Sequence, residues 1–277
     1  MITPLGVQLR HAAGSLLRTT TPGTRFLRWR TRRRFWTAAA SDAAQIAFYR
    51  NFFASGDLVF DVGANRGHRS RLFYMIGARV IAFEPQPALA AQLRGTFAGT
   101  PARIVEAAIG DVASAAMPMY VNKMDVLSTL SPEWISAMKR SERFRGMETW
   151  EDQRPIAVAV ITFDDAIREH GVPVFAKIDV EGFELQVLKG LGMALRALSL
   201  EFAVETLETT KACVHRLAAL GDYRFQISLG ETLQFAVPDW LPAEGIISYF
   251  DATLGRQTGA WGDLYARLAI QPGSPRA

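Results

Sequence analysis

The sequence predicts an α/β fold: one catalytic-sized domain on a mostly parallel, doubly wound sheet, preceded by a basic N-terminal arm. Three observations carry that reading. Short apolar, β-prone runs alternate with stretches of helical length and spacing. The runs lack a polar face, as strands covered on both sides do. One run, Val59-Phe60-Asp61-Val62, passes into a small-residue loop, Gly63-Ala64-Asn65-Arg66-Gly67, that opens a helix. With 277 residues, 49% of them apolar and 21% charged, the chain has the composition of a folded globular protein.

In chain order, residues 1–41 form the arm. Its first 40 residues hold eight arginines and no acid, whereas the other 237 carry 23 basic and 27 acidic groups. The net charge of +4 therefore belongs to the arm. Between Arg25 and Trp36, six arginines interleave with Phe26, Leu27, Trp29, Phe35 and Trp36, a mixture suited to an anionic membrane surface or a nucleic-acid backbone. A solvated leader or an organelle transit peptide has the same composition; a secretory signal needs a longer apolar stretch.

Residues 42–277 form the domain. Ser41-Asp42 offers an N-cap for a helix running to Ala54. Strands are expected at Leu58–Val62, Val80–Phe83, Ile104–Ala108, Val174–Val180 and Leu198–Val204, with helices at Pro87–Phe97 and Gly182–Leu195 among them. Tyr120 to Pro155 is long, polar and rich in Trp, Met and Arg, and reads as a lid or acceptor-binding insertion (120–155). Two further strands, Tyr223–Leu229 and Leu264–Ile270, precede a tail at 271–277.

Composition also excludes chemistry. The single cysteine, Cys213, rules out an intramolecular disulfide or a cysteine-built metal site and fits a reducing cytoplasm; it reads as a buried small apolar residue. The four histidines are scattered without ligand spacing, so no metal site is expected. No apolar run is long enough to span a bilayer as a helix.

The candidate site residues lie at strand ends. Gly63 and Gly67 permit a tight turn, Asn65 tolerates the left-handed conformation, and the helix that follows aims free N–H groups at an anionic ligand. Glu84, which ends the run Val80-Ile81-Ala82-Phe83 ahead of Pro85, is placed to accept hydrogen bonds from ribose hydroxyls. Lys177 and Asp179 are two apart in an apolar strand, so they share a face and must be paired or poised. Glu181 serves either the site or the next helix, and Glu205 ends the following strand at the same edge. His68, in the first turn after the glycine loop, either touches an acceptor or is a surface histidine.

Five ordered motifs then carry a resemblance: Asp-Val-Gly-Ala-Asn-x-Gly from Asp61, Ala-Phe-Glu-Pro-x-Pro around Glu84, Ala-Ile-Gly-Asp at 108–111, Thr-Phe-Asp-Asp at 162–165, and Lys-Ile-Asp-Val-Glu-Gly-x-Glu from Lys177. Over residues 45–205 the chain resembles the FkbM family of S-adenosylmethionine-dependent O-methyltransferases, with Phe163 where that family commonly shows Leu. The resemblance implies a Rossmann-like class I methyltransferase fold with S-adenosylmethionine as cofactor. It puts Asp61, Gly63, Asn65 and Gly67 around the methionine part, Glu84 on the ribose, and Ala108 and Asp111 beside the adenine. It also implies a small-molecule acceptor, a hydroxyl of a sugar or polyketide-type compound. Asp179 is the expected proton acceptor, with Glu181 second and Lys177 as a catalytic or structural neighbour.

The absence of an Asn/Asp-Pro-Pro-aromatic motif argues against methylation of nucleic-acid bases. Two other readings compete: a non-catalytic binding protein on the same fold, and a nicotinamide oxidoreductase, against which the missing G-x-G-x-x-G fingerprint counts.

Overall fold

The computed structural model describes residues 35–37, 42–122, 127–141 and 155–269. The arm and its Arg25–Trp36 run, apart from Phe35 to Thr37, and the tail at 271–277 lie outside the described residues, as does part of the insertion.

Helix α1 (Asp42–Tyr49) leads to β1 (Leu58–Val62), α2 (His68–Ile76), β2 (Arg79–Phe83), α3 (Pro87–Thr96) and β3 (Arg103–Val105). Strands β4 (Ala108–Gly110) and β5 (Ser114–Met119), helix α4 (Pro132–Arg140) and strand β6 (Ile156–Thr162) follow. The chain continues through α5 (Phe163–His170), β7 (Phe175–Ile178), α6 (Glu184–Lys189), β8 (Ala197–Ala203) and α7 (Leu207–Leu220). It closes with β9 (Tyr223–Leu229), α8 (Ala243–Ala252) and β10 (Trp261–Leu268).

The main sheet runs β3-β2-β1-β7-β8-β10-β9. Its first five strands are parallel, and β10 is antiparallel to both neighbours. Strand order reverses beside β1, so a crevice opens at the carboxyl ends of β1 and β7, where ligands of such sheets bind. This is the Rossmann-like, doubly wound architecture the sequence predicts.

The two faces of the sheet bury separate cores. Phe60, Phe83 and Ile178 pack with α5, α6, α7 and α8. Val59, Val80 and Phe175 face the opposite way, onto an aromatic layer of Phe48, Tyr49, Phe52, Phe53, Phe73 and Tyr265. Adjacent residues such as Val59 and Phe60 serve opposite cores, which explains the unbroken apolar runs. Cys213 is buried in the first core.

Several boundaries differ from expectation. The expected strand Ile104–Ala108 is two strands: β3 stops before the exposed Glu106, which pairs with Arg94, and β4 joins β6 and β5 in a second, three-stranded sheet. The expected helix Gly182–Leu195 is only the six residues of α6. There Gly190 and Gly192 interrupt it, bonding through Gly190 O to Asp164 N (3.1 Å) and through Gly192 N to Asp164 Oδ1 (2.9 Å). Strand β6 is antiparallel to β5, which makes the segment 120–155 the connection between two strands of that small sheet. No helix among the described residues is long and apolar enough to cross a membrane.

Near the sheet's far edge, the buried Tyr223 hydroxyl accepts from Leu195 N (2.8 Å) and donates to Leu195 O (2.6 Å). Tyr223→Phe leaves both backbone groups unsatisfied, so a loss of about 2 kcal/mol is expected in denaturant melts.

Candidate cofactor and acceptor site

The glycine loop is held from below by β2. Gly63 N and Ala64 N both donate to Phe83 O (3.0 Å each), and Asn65 N donates to Glu84 Oε2 (2.8 Å). Gln86 N donates to the other carboxylate oxygen, Glu84 Oε1 (2.8 Å). Asn65 has φ 49°, the left-handed value expected of it. Gly63, at φ 84°, approaches protein: a Cβ there would lie 1.8 Å from Asp179 O. The glycine lets β1 pass against the end of β7. Gly67 caps α2, with Leu93 and Phe97 beside it.

The second half of the site is ionic. Lys177 is buried on β7; its ammonium donates to Asp179 Oδ2 (2.7 Å) and lies 3.6 Å from Asp263 Oδ1 on β10. Asp61 stands level with Lys177 on the neighbouring strand and accepts from Ser70 Oγ. Glu201, on β8, completes the corner: oxygens of Asp179, Glu181 and Glu201 lie within 4.8 Å of one another. Burial opposes charge on Asp179, but the Lys177 ammonium outweighs it and holds that carboxyl below its ordinary value. Glu201 is pushed well up, by burial and then by the charges of Asp179 and Glu181. The two neighbouring carboxyls are thus pushed in opposite directions, Asp179 toward its charged form and Glu201 toward its neutral one.

Asp179, Glu181 and Glu201 border one cavity of about 320 Å³ at the carboxyl edge of the sheet. Its lining takes in Gly63, Asn65, Glu84 and Ala108 on one side and Asp179, Glu181 and Glu201 on the other. The insertion supplies a wall. Ser131 caps α4 by accepting from Trp134 N (3.0 Å), and Trp134 and Met138 turn into the cavity. Gly182, at φ 85°, leaves the room Trp134 occupies: a Cβ there would lie 2.3 Å from the indole. Thr129 Oγ1 donates to Glu181 O (2.6 Å), which joins the insertion to the loop carrying Glu181, itself at φ 53°.

The structure therefore brings together Gly63, Asn65, Glu84, Ala108, Asp179 and Glu181 of the sequence candidates. Lys177 and Asp61 stand beneath them, and Gly67, Asp111 and His68 do not line the cavity. Glu205 turns away, accepting from Ser141 Oγ (2.6 Å). Glu201, Glu231 and Trp261 are lining residues that sequence reasoning missed. Glu201 stands in the middle of the apolar run Leu198-Ser-Leu-Glu-Phe-Ala, a local signal that marks an unusual acid but not its partner.

Residues 61–227 match the methyltransferase FkbM domain. The chain belongs to the FkbM methyltransferase family. It is 32% identical over 156 residues to the 31-O-demethyl-FK506 methyltransferase FkbM of Streptomyces tacrolimicus, an alignment covering 49% of this chain and 60% of that relative. Less than two-thirds of the relative's length is thus matched. Solved structures with similarity include a precorrin-6y C5,15-methyltransferase from Geobacter metallireducens (TM-score 0.43, 10% identity, 82% of this chain and 87% of that one). Another is a TehB-like S-adenosylmethionine-dependent methyltransferase from Corynebacterium glutamicum (TM-score 0.40, 10% identity, 88% and 97%).

Membership of this methyltransferase family points to S-adenosylmethionine as the cofactor. The residues present fit it. A strand-end carboxylate suits ribose hydroxyls, Phe83 and Ala107 to Ile109 give an apolar slot, and the carboxylates beyond suit a cationic centre.

Two outcomes are expected of the family's Lys-Ile-Asp-Val-Glu-Gly-x-Glu segment. Lys177→Met strands Asp179 and Asp263 without their buried cation, and should lower unfolding free energy by roughly 3–5 kcal/mol. A melt matching wild type would assign Lys177 no structural role. Glu184 is buried, accepting from Val180 N (3.1 Å) and Gly182 N (3.2 Å), and burial chiefly lifts its carboxyl from 4.5 to about 7. The folded protein binds this proton more tightly than the unfolded chain does. Its contribution is therefore full below the ordinary glutamate value and is lost as pH rises through about 7. Glu184→Gln keeps the accepting Oε1 and should flatten that decline, on the order of 3 kcal/mol, in denaturant melts between about pH 5 and 8.

Proposed function

We propose that this methyltransferase acts on oxygen, moving the methyl group of S-adenosylmethionine to a hydroxyl of a sugar or polyketide-type small molecule. One observation carries the reading: the glycine-loop and Glu84 side of the cavity is continuous with a carboxylate-lined side roofed by Trp134 and Met138. The Streptomyces relative, a 31-O-demethyl-FK506 methyltransferase, supports it.

Bound S-adenosylmethionine supplies an electrophilic methyl group. The chain's own residues supply the rest. Glu84 is assigned to the ribose and, through Asn65 N, couples that contact to the loop. Asp179, kept anionic by Lys177, accepts the acceptor's O–H and orients its oxygen. Glu181 offers a second acceptor at the same rim. Trp134, Met138 and Leu127 exclude water, which would otherwise compete as nucleophile.

The test is incubation with S-adenosylmethionine and a panel of monosaccharides and hydroxylated macrolides, followed by mass spectrometry. A gain of one methyl on oxygen supports the reading; methylation confined to nitrogen or carbon overturns it. Glu84→Ala should weaken S-adenosylmethionine binding at least about tenfold in calorimetry, since a hydrogen bond to a charged acceptor contributes about 1.5–3 kcal/mol. Unchanged affinity would remove Glu84 from the ribose.

A further inference from the structure

The corner where β7, β8 and β10 meet holds more carboxyl groups than its cations neutralise. Ile178 pairs with Leu200, so Asp179 and Glu201 stand level on adjacent parallel strands, and Glu201 pairs in turn with Asp263 on β10. Lys177 directs its ammonium at Asp179 and Asp263. Glu181 brings a third carboxylate within 4.8 Å of Asp179 and Glu201. The groups around this corner are Asp61 from β1, Lys177, Asp179 and Glu181 from β7 and its loop, Glu184 from α6, Asp263 and Tyr265 from β10, Arg69 from α2, Tyr49 from α1, and Glu231 after β9. Like charges this close in a half-buried site do not all ionise, so the Asp179–Glu201 pair retains a proton.

We infer that Glu201 takes the proton of the acceptor hydroxyl, and that it becomes free to do so only when the positively charged cofactor enters the cavity. The inference rests on the oxygen-methylating reading above. A cation arriving among Asp179, Glu181 and Glu201 favours their charged forms, and the proton held between Asp179 and Glu201 departs to solvent. In the transfer, the acceptor oxygen forms its bond to the methyl carbon, the carbon–sulfur electron pair stays on sulfur, and the hydroxyl proton passes to the Glu201 carboxylate. Asp179 is the positioning residue: its bond to Lys177 fixes it as an anion, which orients the hydroxyl and governs when Glu201 ionises. The upward push on Glu201 and the downward one on Asp179 agree with this division.

Calorimetric titration of the full chain, in chelator-containing buffers of differing ionisation enthalpy, reads the proton directly. S-adenosylmethionine should release more protons than S-adenosylhomocysteine, which lacks the sulfonium charge. Glu201→Gln, a shape match for the protonated side chain, should fold, bind both ligands and lose the difference. On the panel member that wild type methylates, Glu201→Gln should lose roughly 10²–10⁴-fold in kcat. Asp179→Asn should move the acidic limb of the kcat profile to lower pH, because Glu201 then ionises without its anionic neighbour.

Equal release by the two ligands, or by wild type and Glu201→Gln, overturns the inference. So does Glu201→Gln turnover at the wild-type rate beside an inactive Glu181→Gln, which transfers the role to Glu181. Binding of neither ligand fails the cofactor assignment, and the inference falls with it. A release difference alongside methylation of nitrogen alone defeats the oxygen reading and the base role together, while the cofactor-linked proton stands.

Discussion

A buried ammonium organises the carboxyl edge of the main sheet. Lys177 sits in the middle of the sheet, flanked by Asp61 on β1 and Ser199 on β8, and is stable there because Asp179 and Asp263 neutralise it. Its two partners come from β7's own end and from β10, the strand that runs against the others. The ion pair thus ties the antiparallel half of the sheet to the parallel half at the crevice. It also fixes Asp179 in direction and in charge, and whatever Glu201 and Glu181 do is set by that fixed anion.

What the sequence made legible was local. Glu84 stood out because Pro85 follows it and four apolar residues precede it, and Asn65 because its place in the loop demands a left-handed backbone. Lys177 and Asp179 were readable as a pair from their spacing of two along a strand. Glu201 was not, since its meeting with Asp179 depends on the register between β7 and β8, which no local pattern encodes. The same reason hides Trp261 and Glu231, and it turned attention to Glu205, whose side chain is drawn off by Ser141. The small sheet escaped notice for a different reason: β5 is half exposed and built of Ser, Ala, Met and Pro, with little strand character of its own.

Several motif residues prove to serve the backbone before they serve chemistry. Thr162 and Asp165 form a reciprocal cap on α5, Thr162 Oγ1 accepting from Asp165 N (3.0 Å) and Asp165 Oδ2 from Thr162 N (3.2 Å). Glu184 gathers the N–H groups of Val180 and Gly182, which holds the loop in the shape that presents Glu181. Gly63 and Gly182 make room for Asp179 O and for the Trp134 ring. A substitution at any of these positions would damage the site without touching a ligand, so a loss of activity there assigns no catalytic role.

The charge of the cavity bears on the direction of the reaction. Six carboxyl groups, Glu84, Asp179, Glu181, Glu184, Glu201 and Glu231, and no Lys, Arg or His stand among its described lining residues. Such a wall attracts a sulfonium more than the uncharged thioether left when the methyl has gone, because the electrostatic gain disappears with the charge. On the proposed oxygen reading, the transfer also leaves a proton on a carboxyl group, which discharges part of the wall. Both changes loosen the hold on the spent cofactor, so the residues that favour entry of the reactive form also favour departure of the product. Lys177 limits the repulsion within that wall: its ammonium stands below the cavity floor, 2.7 Å from Asp179 Oδ2, and offsets part of the charge the carboxyl groups place there.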